Sequence, residues 1–434
     1  MRRSVLTLSL VLTTAGCLLA QPAAPVALTL RDAEALALKN HPQVLAAQNA
    51  ASAMNQKIGE ARAAYYPTLQ GDVTGSQANT RARIGAGFLT DPSLFDRIGQ
   101  GITLSQLITD SGHTSNLVAA SRLEANAAAQ SAQATAYDVL VRVNQGYFGV
   151  LRAQGLVKVA QGTVAARQSF VDQVTALYNN KLRSELDVSF ADVNLSQAKL
   201  LLLQSQALVQ SASAELTRAI GGQQAAQYRL EEQSSPPSPP ADPEALVTQA
   251  LAARPELASL KLSRDAAYHI ESAQKDLSYP TASFVGVGGY MPYINQLSLP
   301  RVTPPEYEGV AVNLEIPILN GGLFKAQRQE AHFRALEADQ RLLDEAQAIA
   351  RDVRTAWAGS TTAYQRLDVT AQLMRETALA LDLAQGRYNL GLSTIVELTQ
   401  AQLNVTSAEI DNLSAKYDYQ SAYATLQYAF GALR

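Results

Sequence analysis

Seven residues, Tyr388-Asn389-Leu390-Gly391-Leu392-Ser393-Thr394, separate two heptad series that are too long for a compact domain. Upstream, apolar or small residues recur at Leu336, Leu343, Ala350, Trp357, Tyr364, Ala371 and Ala378. Downstream the period resumes at Val396, Leu403, Ile410, Tyr417 and Ala424. Such spacing predicts helices packed lengthwise along one stripe. The upstream pattern reaches from about Leu323 to Tyr388, which at about 1.5 Å per residue is about 100 Å of helix. Gly391 suits the left-handed conformation that closes a helix, and Ser393 or Thr394 can cap the next one. The stretch reads as the tip of a coiled-coil hairpin.

The same plan occurs twice. Arg254-Pro255 answers His41-Pro42, and Tyr279-Pro280 answers Tyr66-Pro67 at the same offset. At a second offset Gly322 answers Gly112, Trp357 answers Tyr147, Tyr388-Asn389 answers Tyr178-Asn179, and Phe430-Gly431 answers Ile220-Gly221. Each repeat reads helix, strand, loop, strand, very long helix, tip, return helix. The first spans 28–222, with an opening helix over Ala27–Tyr66 begun by Asp32, strands near 68–76 and 98–108, and a tip at 179–183. The second spans 244–434, with strands near 282–290 and 309–317 and a tip at 389–393. Between them, 223–243 is a Pro/Ser-rich linker that cannot be helical. The strands alternate apolar or small residues (Leu69, Gly71, Val73, Gly75) with polar ones (Gln70, Asp72, Thr74, Ser76), as a sheet wet on one side does. Residues around Gly85, Gly87 and Pro92, and around Pro292, Pro300, Pro304 and Pro305, read as loops.

Residues 1–20 read as an export signal, with Arg2 and Arg3 before an apolar stretch from Val5 to Leu12. Two cleavages fit: after Ala20, or before Cys17, which would then be acylated; Thr14 stands where the second signal normally has Leu. No later apolar run approaches the ~18–20 residues of a spanning helix, so a membrane span would have to be a barrel. The formal charge of -3, without a basic patch, speaks against a nucleic-acid partner. Four His and one Cys offer little for a transition-metal site. His41, His113, His269 and His332 are scattered, no nucleophile–base motif survives its context, and Trp357 lies in the heptad series as a packing residue. No cofactor and no catalytic activity are expected. Four strands cannot close a barrel, and three copies would supply twelve.

Taken in order, the duplicated Leu/Ala-rich opening helix with Asn40-His41-Pro42 and Arg254-Pro255, the Tyr-Pro before each first strand, and the tip at Tyr388–Thr394 resemble the TolC-like outer-membrane efflux proteins. The resemblance covers essentially the whole mature chain. It implies a mainly α fold with a membrane β-barrel: coiled-coil hairpins forming a trimeric α-barrel continuous with a shared 12-stranded β-barrel. It implies a passive exit channel in the outer membrane, in contact with outer-membrane lipid and reaching into the periplasm. The partners implied are a periplasmic adaptor and an inner-membrane pump or secretion transporter. Glu397 and Gln400 match the ring at the narrow periplasmic entrance; the plain alternative is a solvated helix face. Asp187 and Tyr388 match a hydrogen-bonded latch between neighbouring hairpins; the alternative is a tip aromatic packed on its own helix. The family's second latch, an Arg and a Thr, falls here on Ser393 and Leu186. The adaptor-contacting tips are Asn180, Lys181 and Leu182 in the first repeat, and Leu390, Gly391, Leu392 and Ser393 in the second. Lys181 stands where the first tip should have Gly, at a conformational cost. The rival from another class is a soluble periplasmic coiled-coil scaffold or adaptor, which explains the helices but not the paired strands.

Overall fold

The structure, a computed structural model, describes residues 26–76, 83–86, 89–93, 97–222, 228–291 and 305–433. The export signal and Cys17 lie outside these residues, as do 223–227 of the linker and most of the proline-rich loop. A short strand β1 (Val26–Leu28) leads into helices α1 (Leu30–Asn40) and α2 (Pro42–Ala63). Strands β2 (Thr68–Ser76), β3 (Arg83–Ala86), β4 (Leu89–Ser93) and β5 (Arg97–Thr109) follow, then the hairpin α3 (His113–Asn179) and α4 (Glu185–Ala219). The second half runs β6 (Tyr228–Leu230), α5 (Pro243–Ala253), α6 (Pro255–Asp276), β7 (Thr281–Tyr290), β8 (Glu306–Glu315), α7 (Leu323–Asn389) and α8 (Ile395–Ala429).

The duplication is exact in helix length. α1 and α5 have 11 residues each, α2 and α6 have 22, α3 and α7 have 67, and α4 and α8 have 35. The cores repeat as well. In the first half Ala37, Val44, Val139, Val143 and Leu216 are buried together; in the second, their counterparts Ala250, Leu257, Ile349, Val353 and Leu426 are. Proline at the first position of α2 and α6 explains the break in each opening helix. It begins a helix readily but would disrupt one in the interior.

Several expectations need correction. Ala27 and Leu28 are not helical: β1 pairs in parallel with β6, and the N-cap is Thr29, whose hydroxyl accepts from the Asp32 N–H at 3.2 Å. The first loop contains a hairpin of β3 and β4. β8 ends at Glu315 rather than 317, because Pro317 has no N–H to give to a ladder.

The linker from Glu231 to Pro240 is a strap tied down by hydrogen bonds. Tyr147 of α3 donates its hydroxyl to the Glu231 carbonyl at 2.7 Å, and Gln420 of α8 reaches the Gln233 carbonyl at 3.1 Å. Tyr419 donates to the Pro237 carbonyl, and Trp357 to the Pro240 carbonyl at 2.7 Å. Trp357 is thus a hydrogen-bonding anchor as well as a packing residue. A segment rich in proline loses its own donors, so carbonyls are what it offers, and long aromatic donors meet them.

Strands β2, β5, β7 and β8 form one antiparallel sheet in that order. Its register puts Leu69, Leu104, Gly286 and Val310 in one row, with Gly71, Ile102 and Gly288 in the next but one. One face therefore carries Leu69, Val73, Ile102, Phe284, Val310, Val312 and Leu314, with Glu308 toward the start of β8, and the other Gln70, Asp72, Thr103, Ser105, Ser283 and Asn313. The apolar face is bare: Val73 is 79% exposed and Val310 78%. Among the described residues no helix is long and apolar enough to cross a membrane.

Candidate functional site: the hairpin tips

Both long helices end in the same backbone device. In the first tip the Leu182 N–H bonds back to the Leu177 carbonyl at 2.9 Å and the Lys181 N–H to that of Tyr178 at 2.8 Å. In the second, Leu392 reaches Arg387 at 2.8 Å and Gly391 reaches Tyr388 at 3.0 Å. This pairing needs one residue in the left-handed region. Gly391 supplies it at φ 74, and Lys181 at φ 61 does so against the preference of a residue with a Cβ. Each return helix then starts on a hydroxyl cap, Ser184 accepting from the Asp187 N–H and Thr394 from the Glu397 N–H.

The two tips diverge in their acids. Asp187 turns back on its own helix start, accepting from the Ser184 N–H at 3.0 Å and hydroxyl at 2.9 Å. A shorter carboxylate at this third position closes the box, which Ser184-x-x-Asp187 already spelled out. Glu397 points elsewhere, pairing with Arg387 at 3.3 Å with both side chains about half exposed (46% and 57%). Gln400, one turn on, donates to Asn404 at 2.9 Å.

Within one chain the hydrogen bond expected between Asp187 and Tyr388 is not made. The Asp187 carboxylate is committed to Ser184, and the Tyr388 hydroxyl is buried with no partner among the described residues. Tyr388 is 1% exposed and lies against Phe170 of α3, ring centroids 5.9 Å apart, in a cluster with Val174, Ala191, Ile395 and Leu398. Burial, and secondarily the negative charge of Asp187, raise its pKa above the usual phenol value, while Arg183 acts the other way. Its contact with the first tip comes from Arg183. That guanidinium lies 4.0 Å from the ring centroid and donates to the Tyr388 carbonyl at 2.6 Å. Neither Arg183 nor Arg387 was singled out from the sequence, although each stands inside or beside a tip.

The ends of the tips are apolar and bare. Leu182 is 69% exposed, Leu390 76% and Leu392 68%. Asn180 is turned inward to the Ala176 carbonyl at 2.8 Å, and the Ser393 hydroxyl is buried without a partner among the described residues. The scattered histidines do not meet at the tips: His41 caps α2, His113 and His269 lie between α3 and α6, and His332 pairs with Glu271.

The chain matches the family described as outer membrane efflux protein over residues 35–222 and 246–432, one block per repeat. It is 25% identical over 412 residues to the outer membrane protein TolC of Vibrio cholerae, covering 92% of this chain and 89% of that one. It is 26% identical over 429 residues to the alkaline protease secretion protein AprF of Pseudomonas aeruginosa, covering 94% and 85%. A crystallised membrane protein from Pseudomonas aeruginosa shares the fold with a TM-score of 0.79 at 22% identity, over 93% of each chain. The duplicated hairpins, the bare apolar sheet and these matches agree: the chain belongs to the outer membrane efflux protein family, the channel proteins of the outer membrane that reach into the periplasm.

Proposed function

We propose that the chain assembles as a homotrimer forming one passive conduit, its sheet in the outer membrane and its tips in the periplasm. There an adaptor docks and couples the conduit to an inner-membrane pump or secretion transporter. The sheet supports this most. Among the described residues it has four strands, its edge strands β2 and β8 are unpaired on their outer sides, and its apolar face is bare. Open edges cannot sit in lipid, and even small barrels use about eight strands. Three copies of a four-stranded sheet close a ring of twelve. A soluble scaffold would leave that apolar face in water.

The repeat supplies a second support. Within the chain, α3 packs on α8 through Asp138 with Tyr428, Gln145 with Thr425, and Arg152 with Asp418. The Gly155 backbone passes so close to Leu413 that a Cβ there would meet its side chain at 2.8 Å. The counterparts of these α3 residues on α7 are Ala348, Thr355, Thr362 and Gln365, and those on α4 are Arg218, Glu215, Leu208 and Leu203. Among the described residues of one chain no hydrogen bond or ion pair joins the two sets. Of the α4 set, Arg218 and Glu215 border an open cleft of about 850 Å³ also lined by His41, Arg142 and Gly146, and further along the helix Leu208 and Leu203 are exposed. In the trimer, α7 of one copy fills this cleft in the next as α3 fills the equivalent place within the chain. A chain carrying both Leu203→Cys and Gln365→Cys should give, on mild oxidation, a ladder that ends at a covalent trimer, while neither single variant does. Monomer alone, or a ladder running past three, would overturn the assembly.

At the tips, Glu397 from three copies forms the charged ring of the periplasmic entrance, with Gln400 one turn above it. Arg387 offsets part of that charge. Glu397→Gln should lower cation selectivity and divalent-cation block in single channels, whereas Arg387→Gln should raise both. The change should be about two- to fivefold, what one charge contributes at aqueous dielectric. Shifts in the same direction for both variants would return Glu397 to a solvated helix face.

A further inference from the structure

The first tip holds the second by a contact that does not use the tyrosine hydroxyl. The Arg183 guanidinium stacks on the Tyr388 ring at 4.0 Å and donates to the Tyr388 carbonyl at 2.6 Å. That carbonyl also closes the α7 turn by accepting from the Gly391 N–H at 3.0 Å. It lies in the last turn of α7, where helix carbonyls gather partial negative charge and a cation is favoured. The ring itself is 1% exposed among Phe170, Val174 and Leu398, so it forms a rigid plate for the guanidinium to lie on. A planar guanidinium can lie flat on the ring and donate in its own plane, a stacking that a compact ammonium does not reproduce.

The repeat makes the contact one-sided. The counterpart of Arg183 in the second tip is Ser393, too short to span to another hairpin, and its hydroxyl is buried and unpartnered among the described residues. The counterpart of Tyr388 is Tyr178, which is 41% exposed. The contact of first tip on second thus exists within a chain, and its counterpart, second tip on first, lacks the arginine.

We propose that Arg183 is a positioning residue that clamps the two hairpin tips of one chain into a single unit. Resting on the trimer reading above, the six hairpins then form three clamped pairs separated by three looser seams, where Tyr178 of one copy faces Ser393 of the next.

The test is a distance within one chain, so it holds whether or not the trimer reading does. Spin labels at Asn180→Cys and Leu390→Cys, in full-length protein diluted with unlabelled chains, report the tip-to-tip separation by pulsed electron resonance. Arg183→Ala should broaden that distribution about twofold, since it removes both the stacking and the charge-assisted bond. Arg183→Lys should fall between, and Tyr388→Phe should stay as narrow as the parent. Circular dichroism checks that the helices persist. A distribution for Arg183→Ala as narrow as the parent's overturns the clamp. So does one for Tyr388→Phe as broad as that for Arg183→Ala, which would put the hydroxyl in charge. Failure of the cysteine ladder with a broadened Arg183→Ala distribution would remove the seams and leave the clamp standing.

Discussion

A chain carrying Val310→Arg should be made and exported but should not appear as a membrane-inserted trimer. Val310 is 78% exposed on the apolar face of the sheet, in the row shared with Leu69, Leu104 and Gly286. Val310 lies near the middle of β8, where lipid offers an arginine no water, and the nearest carboxylate on the same face of the strand is Glu308, toward its start. On the lipid face of a barrel the cost near the midplane is about 2–4 kcal/mol per copy, hence roughly 6–12 kcal/mol for three. This is as large as the whole stability of many domains. The next residue is the control. Ala311 faces the opposite way, in a row with Val285 and Ser105 on the polar side. Ala311→Arg should insert normally, since a charge in a water-filled lumen keeps its hydration. Membrane fractionation and heat-modified migration of both variants make the comparison. Normal insertion of Val310→Arg, or equal loss in both, would mean that the apolar face does not meet lipid.

The second large effect is expected at the far end. Leu392→Asp should abolish export while trimer level and thermal stability stay near those of the parent. Leu392 is 68% exposed and Leu390 76%, and neither belongs to the packed cluster around Tyr388. Exchange of such a residue leaves folding within about 0.5 kcal/mol. The same leucines form a bare apolar knob with no function in an isolated chain. If an adaptor covers them, a carboxylate there is buried without a partner. An anchoring residue of this kind contributes about 2–4 kcal/mol, so docking should weaken about a hundredfold. Gly391 is a poorer choice for the test, because its φ of 74 would strain a substituted side chain and confuse folding with docking. Export in cells, measured beside the amount of assembled trimer, separates the two. Undiminished export by Leu392→Asp would place the docking surface elsewhere.

At the tips a local and a distant partner are open to the same carboxylate. Ser184-x-x-Asp187 is a capping box in plain view, yet the resemblance to known channels drew Asp187 toward Tyr388. In the folded chain the local partner prevails, since a side chain three residues away is reached at little entropic cost and a distant hairpin is not. The tyrosine is contacted instead by Arg183. Nothing in the spacing of Arg183 announces this, because the ring it covers is 205 residues further along. Arg387 was hidden for a different reason: it sits ten residues before Glu397, and only the reversal of the chain at Gly391 brings the two within 3.3 Å.

What the sequence by itself determined is whatever short-range physics specifies. Heptads from Leu336 to Ala378 need only neighbours one or two turns away, and they became α7. Alternation such as Leu69-Gln70-Gly71-Asp72 needs only the pleat of one strand. Tyr-Pro, Arg-Pro and Gly391 act through their own backbone angles, and because they occur twice the duplication was legible too. The tertiary structure alone decided whatever depends on groups far apart in the chain. It paired Val26–Leu28 with Tyr228–Leu230, although three residues carry too little pattern to identify a strand. It turned the Pro/Ser-rich segment into a strap, because Tyr147, Trp357, Tyr419 and Gln420 arrive from three different helices to bond its carbonyls. It also distinguished two tips of similar sequence, burying Tyr388 and leaving Tyr178 exposed, because Phe170 and Val174 of α3 and Ala191 of α4 pack around the tyrosine of the second tip.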